Sequence, residues 1–217
     1  MTDVAGDVKR RRPYRSERRR EQAEQTRTRV LDAAATLFQE RGYEGASIAA
    51  IASGAGVAAE TVYAGFGTKR ALLGALVARA VRGDDAKPVT EQEGPRALAA
   101  LTDQREQLRL FSADITRRLE RAAPLVAVVS GAARAEPELA NLLANLHAER
   151  RRNLRVLVDA LAANGPLRLP AGEALETVWA LTSPELHQLL VHVRGWKRRR
   201  YADWLAESLA RLLLPDA

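Results

Sequence analysis

Residues 47–69, SIAAIASGAGVAAETVYAGFGTK, confine this chain more tightly than any other stretch, because they read as two short helices hinged at a glycine. Ile48, Ile51 and Ala52 recur at the i, i+3, i+4 spacing of a buried stripe, and Ser47 stands where a side chain can cap the first helix. Gly56 permits the positive φ that a tight turn between helices requires, and Val57 plugs the angle between them. In the second helix Val62 and Phe66, four residues apart, face inward, which turns Ala59, Glu60, Thr61, Tyr63 and Ala64 outward. A helix of that width fits the major groove of DNA. The pattern is that of a DNA-reading helix-turn-helix.

The flanks extend it. Upstream, residues 28–43 (TRVLDAAATLFQERGY) place Val30, Leu31, Ala34, Leu37 and Phe38 on one helical face and end at Gly42 in the C′ position. Downstream, Thr68, Lys69 and Arg70 open a helix whose Leu72, Leu73, Leu76, Val77 and Ala80 form another apolar stripe.

Together these segments carry the run Ala33-Ala34-x-x-Leu37-Phe38-x-x-Arg41-Gly42-Tyr43, then Ser47-Ile48-x-x-Ile51-Ala52, Ala55-Gly56-Val57, and Thr61-Val62-Tyr63-x-x-Phe66-x-x-Lys69-x-x-Leu72-Leu73. That run resembles the DNA-binding domain of the TetR family of transcriptional regulators. The resemblance implies an all-α fold: a three-helix helix-turn-helix domain followed by a helical bundle for dimerisation and ligand binding. It further implies groove contacts from Ser47, Ala59, Glu60, Thr61 and Ala64, and phosphate contacts from Tyr63 and Lys69. The chain departs from the family pattern at Ala58, where a capping Ser or Thr is common, and at Gly65 and Gly67. Without a cap, an orphan N–H at the start of the second helix costs about 0.5–2 kcal/mol.

The reading face is chemically sparse. Arg reads guanine and Asn or Gln reads adenine through paired hydrogen bonds, yet the outward positions offer mainly Ala, Glu60, Thr61 and Gly65. Much of the affinity for DNA is therefore expected from elsewhere in the chain. Residues 9–20, KRRRPYRSERRR, hold eight basic residues and one acidic residue, so their charge of +7 equals the net charge of the whole chain. Such a run cannot bury apolar surface by itself. We expect residues 1–24 to form a basic, largely disordered arm, with Pro13 barring a helix that starts before it and Ser16 capping one that starts after it. Arg10, Arg11, Arg12 and Arg15 are its expected DNA contacts, in a neighbouring minor groove or along the backbone. A solvated tail is the alternative reading.

The helix-turn-helix domain is placed at 25–81, a loop rich in Gly, Pro and acidic residues at 82–95, and a helical ligand-binding and dimerisation domain at 96–217. In the last of these, Leu98, Leu101, Leu108, Ile115 and Leu119 form a stripe that is expected to end before Pro124, with a short helix after it. Leu139 through Leu161 continue as a long helix to a stop at Asn164 and Gly165. Two final apolar segments are expected to associate two copies through Trp179, Leu186, Leu189, Leu190, Trp204, Leu205, Leu209 and Leu212, since a two-fold operator needs two reading helices. Arg105, Ser112, His147, Trp179 and Thr182 are polar or aromatic positions on apolar faces, and so are the candidates for an effector pocket.

The expected partners are thus a palindromic double-stranded DNA operator, a second copy of the chain, and an unidentified small effector. No cofactor is expected. The chain contains no cysteine, which removes disulfides and thiolate metal sites. No apolar run approaches 18 residues, and no apolar segment follows the arginine-rich start, so neither a membrane span nor a secretion signal is expected and a cytoplasmic location is the simplest reading. The expected function is a DNA-binding regulator, a repressor released by its effector. A low-specificity DNA-coating protein is the alternative that the basic arm favours. An enzyme finds little support: His147, His187 and His192 form no metal-binding set, and no phosphate-binding glycine loop or nucleophile elbow is present.

Overall fold

Ten α-helices account for most of the residues that the computed structural model describes, namely 11–83, 85 and 87–215, with side chains from Arg18 onward. Among these residues there is no strand. They fall into two compact units divided between Leu72 and Leu73.

The first unit is built on α1 (Arg11–Gly45), α2 (Ile48–Ala55), α3 (Ala59–Phe66) and the opening of α4 (Lys69–Arg82). Val30, Leu31, Ala34 and Phe38 of α1 are buried, as the helical stripe predicts, and Leu37 is half-buried. The helical path breaks at Gly42, whose φ of 67° and ψ of −174° suit glycine alone. Tyr43, just past the break, turns back to stack on Phe38 with ring centroids 6.1 Å apart.

At its other end α1 departs from expectation. Residues 1–24 do not all lie outside regular structure, because the backbone is helical from Arg11. Pro13 is the third residue of this helix, where the N–H it lacks has no intrahelical acceptor in any case. A segment that prolongs an already packed helix also avoids the cost of nucleating one. Residues 1–10, including Arg10, lie outside the described residues.

The turn at the heart of the unit follows the sequence closely. Ser47 sits in extended conformation and its Oγ accepts from the Ala50 N–H at 3.1 Å, which caps α2. Gly56 adopts φ 65°, ψ 40°; its N–H donates to the Ser53 carbonyl at 3.1 Å, while the Val57 N–H donates to the Ala52 carbonyl at 3.0 Å. This pair of bonds is a Schellman motif, and it reverses the chain so that α2 and α3 meet at 105°.

The second unit comprises the rest of α4, α5 (Glu93–Ala100), α6 (Gln104–Ala132), α7 (Pro137–Asn164), α8 (Ala171–Leu181), α9 (Pro184–Gln188) and α10 (Arg198–Leu213). The expected loop at 82–95 is partly structured: a 3₁₀ turn covers Val89–Glu91 and α5 begins at Glu93. Gln92 tethers it, its Nε2 donating to the carbonyls of Arg82 and Lys87 at 3.1 Å each.

The expected stop before Pro124 does not occur. One helix, α6, runs through it, with Ala122, Ala123, Leu125 and Val126 buried on either side. The proline removes one backbone bond, but burial of both flanking segments outweighs that local loss; α10, α7 and α9 all pack against α6. Close to the proline, the Ala123 carbonyl accepts from Gln188 Nε2 of α9 at 3.0 Å, which ties α9 to this part of α6. The stripe beginning at Leu98 is also split, since Leu98 belongs to α5 and Asp103 caps α6 by accepting from the Glu106 N–H.

The core of this unit brings together Leu108 and Leu119 of α6, Leu154, Leu157, Val158 and Leu161 of α7, Leu175 and Val178 of α8, and Tyr201, Leu205 and Leu209 of α10. Side chains close the helix ends. Asn164 Nδ2 and Gln107 Nε2 donate to the Leu101 carbonyl at 2.9 and 3.1 Å, and Gln104 Nε2 donates to the Leu161 carbonyl at 2.9 Å. After α9 a π turn, Leu189–Val193, leads to the aromatic group of Trp196, Tyr201 and Trp204.

Candidate functional site

The reading helix α3 is held from one side only. Val62 is its one fully buried residue and Phe66 is half-buried, with the Arg27 guanidinium 4.5 Å above its ring. Glu60, Thr61, Tyr63 and Ala64 are exposed, as the i, i+4 pattern requires, and Tyr63 is 54% exposed despite its size. An aromatic residue left in solvent beside a polar face is available for a phosphate, not required for packing. Ala59 is half-buried and so offers less of its methyl than the sequence pattern suggests. Ser47 is exposed, but its hydroxyl is engaged as the cap of α2.

The departures noted in the sequence have visible consequences. Ala58 occupies the cap position of α3 in extended conformation and offers no side-chain acceptor. Gly67 ends the helix at φ 75°. Lys69 does not project freely: its Nζ donates to the Tyr43 carbonyl at 2.9 Å and lies 4.0 Å from the centroid of the Tyr43 ring. An ammonium has three donors, so two remain for a phosphate at this helix start, where Thr68 Oγ1 already accepts from the Ala71 N–H. For Arg11, Arg12 and Arg15 only the helical backbone is described, and Arg10 is outside the described residues.

The second unit contains a cavity of about 400 Å³ between α4, α5, α6 and α7. Its wall is mainly apolar, with Val77, Leu98, Phe111, Ile115, Leu119, Leu154 and Leu157 among its residues. That volume lies in the range typical of sites for small molecules. Its polar groups are few and largely committed. Arg118 is almost fully buried; its Nε bonds Asp114 at 2.6 Å and its Nη1 donates to the Val81 carbonyl at 2.9 Å.

Of the five residues that the sequence offered for this pocket, only His147 lines it. Arg105 is exposed on the outer side of α6. Ser112 is buried, and its carbonyl accepts from Thr116 Oγ1, but it does not reach the cavity. Trp179 and Thr182 stand behind the wall, joined to it through Arg150, whose Nη1 donates to the Trp179 carbonyl at 2.8 Å and to the Thr182 carbonyl and hydroxyl at 3.1 Å. Sequence reasoning did not single out Arg150, because in the run Glu149-Arg150-Arg151-Arg152 nothing local tells which arginine turns inward. Burial lowers its pKa to about 10, against the opposing pull of Glu185, and it remains charged at neutral pH.

The residues expected to associate two copies fall into three sets. Leu205 and Leu209, expected to face a second copy, are buried in the core of their own chain, because α10 packs them onto α6 and α8. Leu186, Leu190, Trp179 and Trp204 are half-buried. Leu189 and Leu212 remain exposed, at 51% and 44%, and they are joined by Val193 at 73%.

The segment that carries the helix-turn-helix geometry matches a known family. The model of the bacterial regulatory proteins of the tetR family matches residues 30–76, which are α2, α3 and the helical segments that brace them. Residues 30–76 are therefore a DNA-binding segment of the tetR type. No curated protein sequence matches it. Among solved structures, a TetR-family transcriptional regulator of Mesorhizobium loti superposes with a TM-score of 0.67 at 18% identity, covering 88% of this chain and 98% of that one. NalD of Pseudomonas aeruginosa, the secondary repressor of the MexAB-OprM multidrug efflux pump, gives 0.67 at 23% identity, covering 90% and 100%. FadR of Bacillus subtilis, solved in complex with stearoyl-CoA, gives 0.66 at 17% identity, covering 84% and 96%. These likenesses extend the shared fold across both units. Among its described residues no group of three or more His, Cys, Asp or Glu side chains could hold a metal ion. No single described helix is long and apolar enough to cross a membrane.

Proposed function

We propose that this chain is a homodimeric repressor of the TetR family that leaves a palindromic operator when a small effector fills the cavity of its second unit. The observation that carries this reading is the cavity itself: an apolar chamber of about 400 Å³ walled in part by Val77 and Val81 of α4, the helix that begins at Lys69 beside the reading helix. A ligand that shifts α4 acts on the element that continues into the DNA-binding unit. Its effect on DNA affinity equals its difference in affinity for the two arrangements. That NalD is a repressor and that FadR was solved with a bound acyl compound supports the same kind of function here.

Exposed Tyr63, Glu60 and Thr61 are the contacts offered by α3, with Lys69 at the adjoining helix start. The arginines of residues 9–20 supply the charge that so sparse a reading face lacks. Leu189, Val193 and Leu212, large apolar side chains left in solvent on the last segments, are proposed to meet their counterparts in a second copy.

A footprint on the DNA upstream of the chain's own gene tests the reading. A regulator protects a discrete palindrome whose half-sites lie one helical turn, about 34–36 Å, apart or a multiple of it. Uniform protection with a specificity ratio below about 10³ would instead identify a DNA coat. The same titration across salt checks the arm. If each arm neutralises about four phosphates, deleting residues 1–15 from both protomers flattens the log–log slope by roughly seven.

A further inference from the structure

The three arginines of residues 150–152 lie on successive positions of α7, yet only one is turned inward. Arg151 stays at the surface, where its Nε and Nη2 both donate to Glu176 Oε1, at 2.8 and 2.6 Å. Arg152 is exposed. Arg150 reaches the cavity wall, and there its three nitrogens divide. Nη1 is fixed by the carbonyls of Trp179 and Thr182 and by the Thr182 hydroxyl, and the Trp179 ring backs the guanidinium at 4.7 Å. Nε and Nη2 are buried with no hydrogen-bond partner.

Those two donors share one edge of the guanidinium, the same edge that Arg151 presents to a carboxylate at the surface. A buried charged fork with its edge unmet is costly unless an anion completes it. The carboxylates near the cavity do not do so: Asp114 is bound to Arg117 and Arg118, Glu149 is exposed, and Glu185, whose charge favours that of Arg150, is exposed and makes no hydrogen bond to Nε or Nη2. Beyond the fork the chamber is lined by Phe111, Ile115, Leu119, Leu154 and Leu157, which accept only an apolar body.

We infer that the effector is an organic carboxylate on an apolar body, its headgroup held edge-on by Nε and Nη2 of Arg150 and its body in the apolar chamber. The inference rests on the cavity being the effector site, and it adds the chemical class. A planar two-donor edge matches a carboxylate in geometry and charge. Nη1 anchors the guanidinium, and because neither Nε nor Nη2 has accessible surface, the headgroup reaches them by displacing the side chains that cover this edge.

The test uses the full chain at pH 7.5 and isothermal calorimetry with octanoate and decanoate against octan-1-ol and decan-1-ol. Decanoate is expected to bind at least tenfold more tightly than decan-1-ol. Lengthening the acid from eight to ten carbons is expected to raise affinity about fifteenfold, near fourfold per methylene. R150M is expected to bring decanoate down to the affinity of decan-1-ol while leaving decan-1-ol within threefold of its wild-type value, and R150K to recover part of the preference. Equal affinity for acid and alcohol in the wild-type chain, no binding of either, or an undiminished preference in R150M overturns the inference. Release from operator DNA, followed by fluorescence anisotropy, separates it from the regulatory reading. An acid that binds through Arg150 without releasing DNA leaves the carboxylate site standing and removes repression by release; release by alcohol and acid alike does the reverse.

Discussion

His187 should make the second unit sensitive to mild acid. It lies in α9 with no exposed surface, its ring edge-on to Tyr201 at 4.9 Å and 6.4 Å from His192, and neither ring nitrogen has a hydrogen-bond partner. Burial, with a smaller push from His192, lowers its pKa from 6.5 to about 4. In the unfolded chain the ring keeps its ordinary value, so between pH 6.5 and 4 the unfolded state binds the additional proton. Stability that is present above pH 6.5 is therefore lost as the pH falls through that window. A shift of this size corresponds to about 3 kcal/mol once both states are protonated, and to about 2 kcal/mol at pH 5. His187→Leu removes the titration and the two unbonded nitrogens together. Urea unfolding at fixed protein concentration, followed by circular dichroism at pH 7.5, 6 and 5, is expected to show the wild-type chain losing about 2 kcal/mol more than H187L between the first and last conditions. Parallel losses in the two proteins would refute the reasoning, because the carboxylates and His192 are common to both.

The helix start of α3 offers a gain instead of a loss. Ala58→Ser places a hydroxyl where the extended backbone already suits a cap, and should stabilise the first unit by about 0.5–2 kcal/mol, read as a higher melting temperature. At the proposed association surface, Val193→Glu together with Leu189→Glu sets charges on the two most exposed large aliphatic side chains among the described residues and should turn a dimer into a monomer in sedimentation velocity at micromolar concentration. A wild-type chain that already sediments as a monomer would defeat the dimer itself.

The helix-turn-helix was legible because its determinants are local. Ser47 caps a backbone three residues away, Gly56 supplies a positive φ at its own position, and Val62 is placed by a repeat of four residues. The same locality let Ala58 be recognised as an uncapped start. The cavity was less legible. His147 was found from its place on an apolar face, but Arg105, on what read as an equivalent face, points to solvent, since period alone does not say which neighbour covers a stripe. Arg150 carried no sequence signal at all.

What the sequence by itself determined is the helical class, the helix-turn-helix and its glycine-marked turns, the thin reading face, and the concentration of charge in residues 9–20. Each follows from side-chain spacing or from the conformational freedom of one residue. Only the tertiary structure decided that α6 passes through Pro124, that Leu205 and Leu209 belong to the chain's own core, and that one of three adjacent arginines turns inward with Nη1 bonded and its Nε and Nη2 unmet. Those outcomes depend on segments distant in sequence. Packing from α7, α9 and α10 outweighs a lost backbone bond in α6, and the carbonyls of Trp179 and Thr182 fix a guanidinium about thirty positions away along the chain.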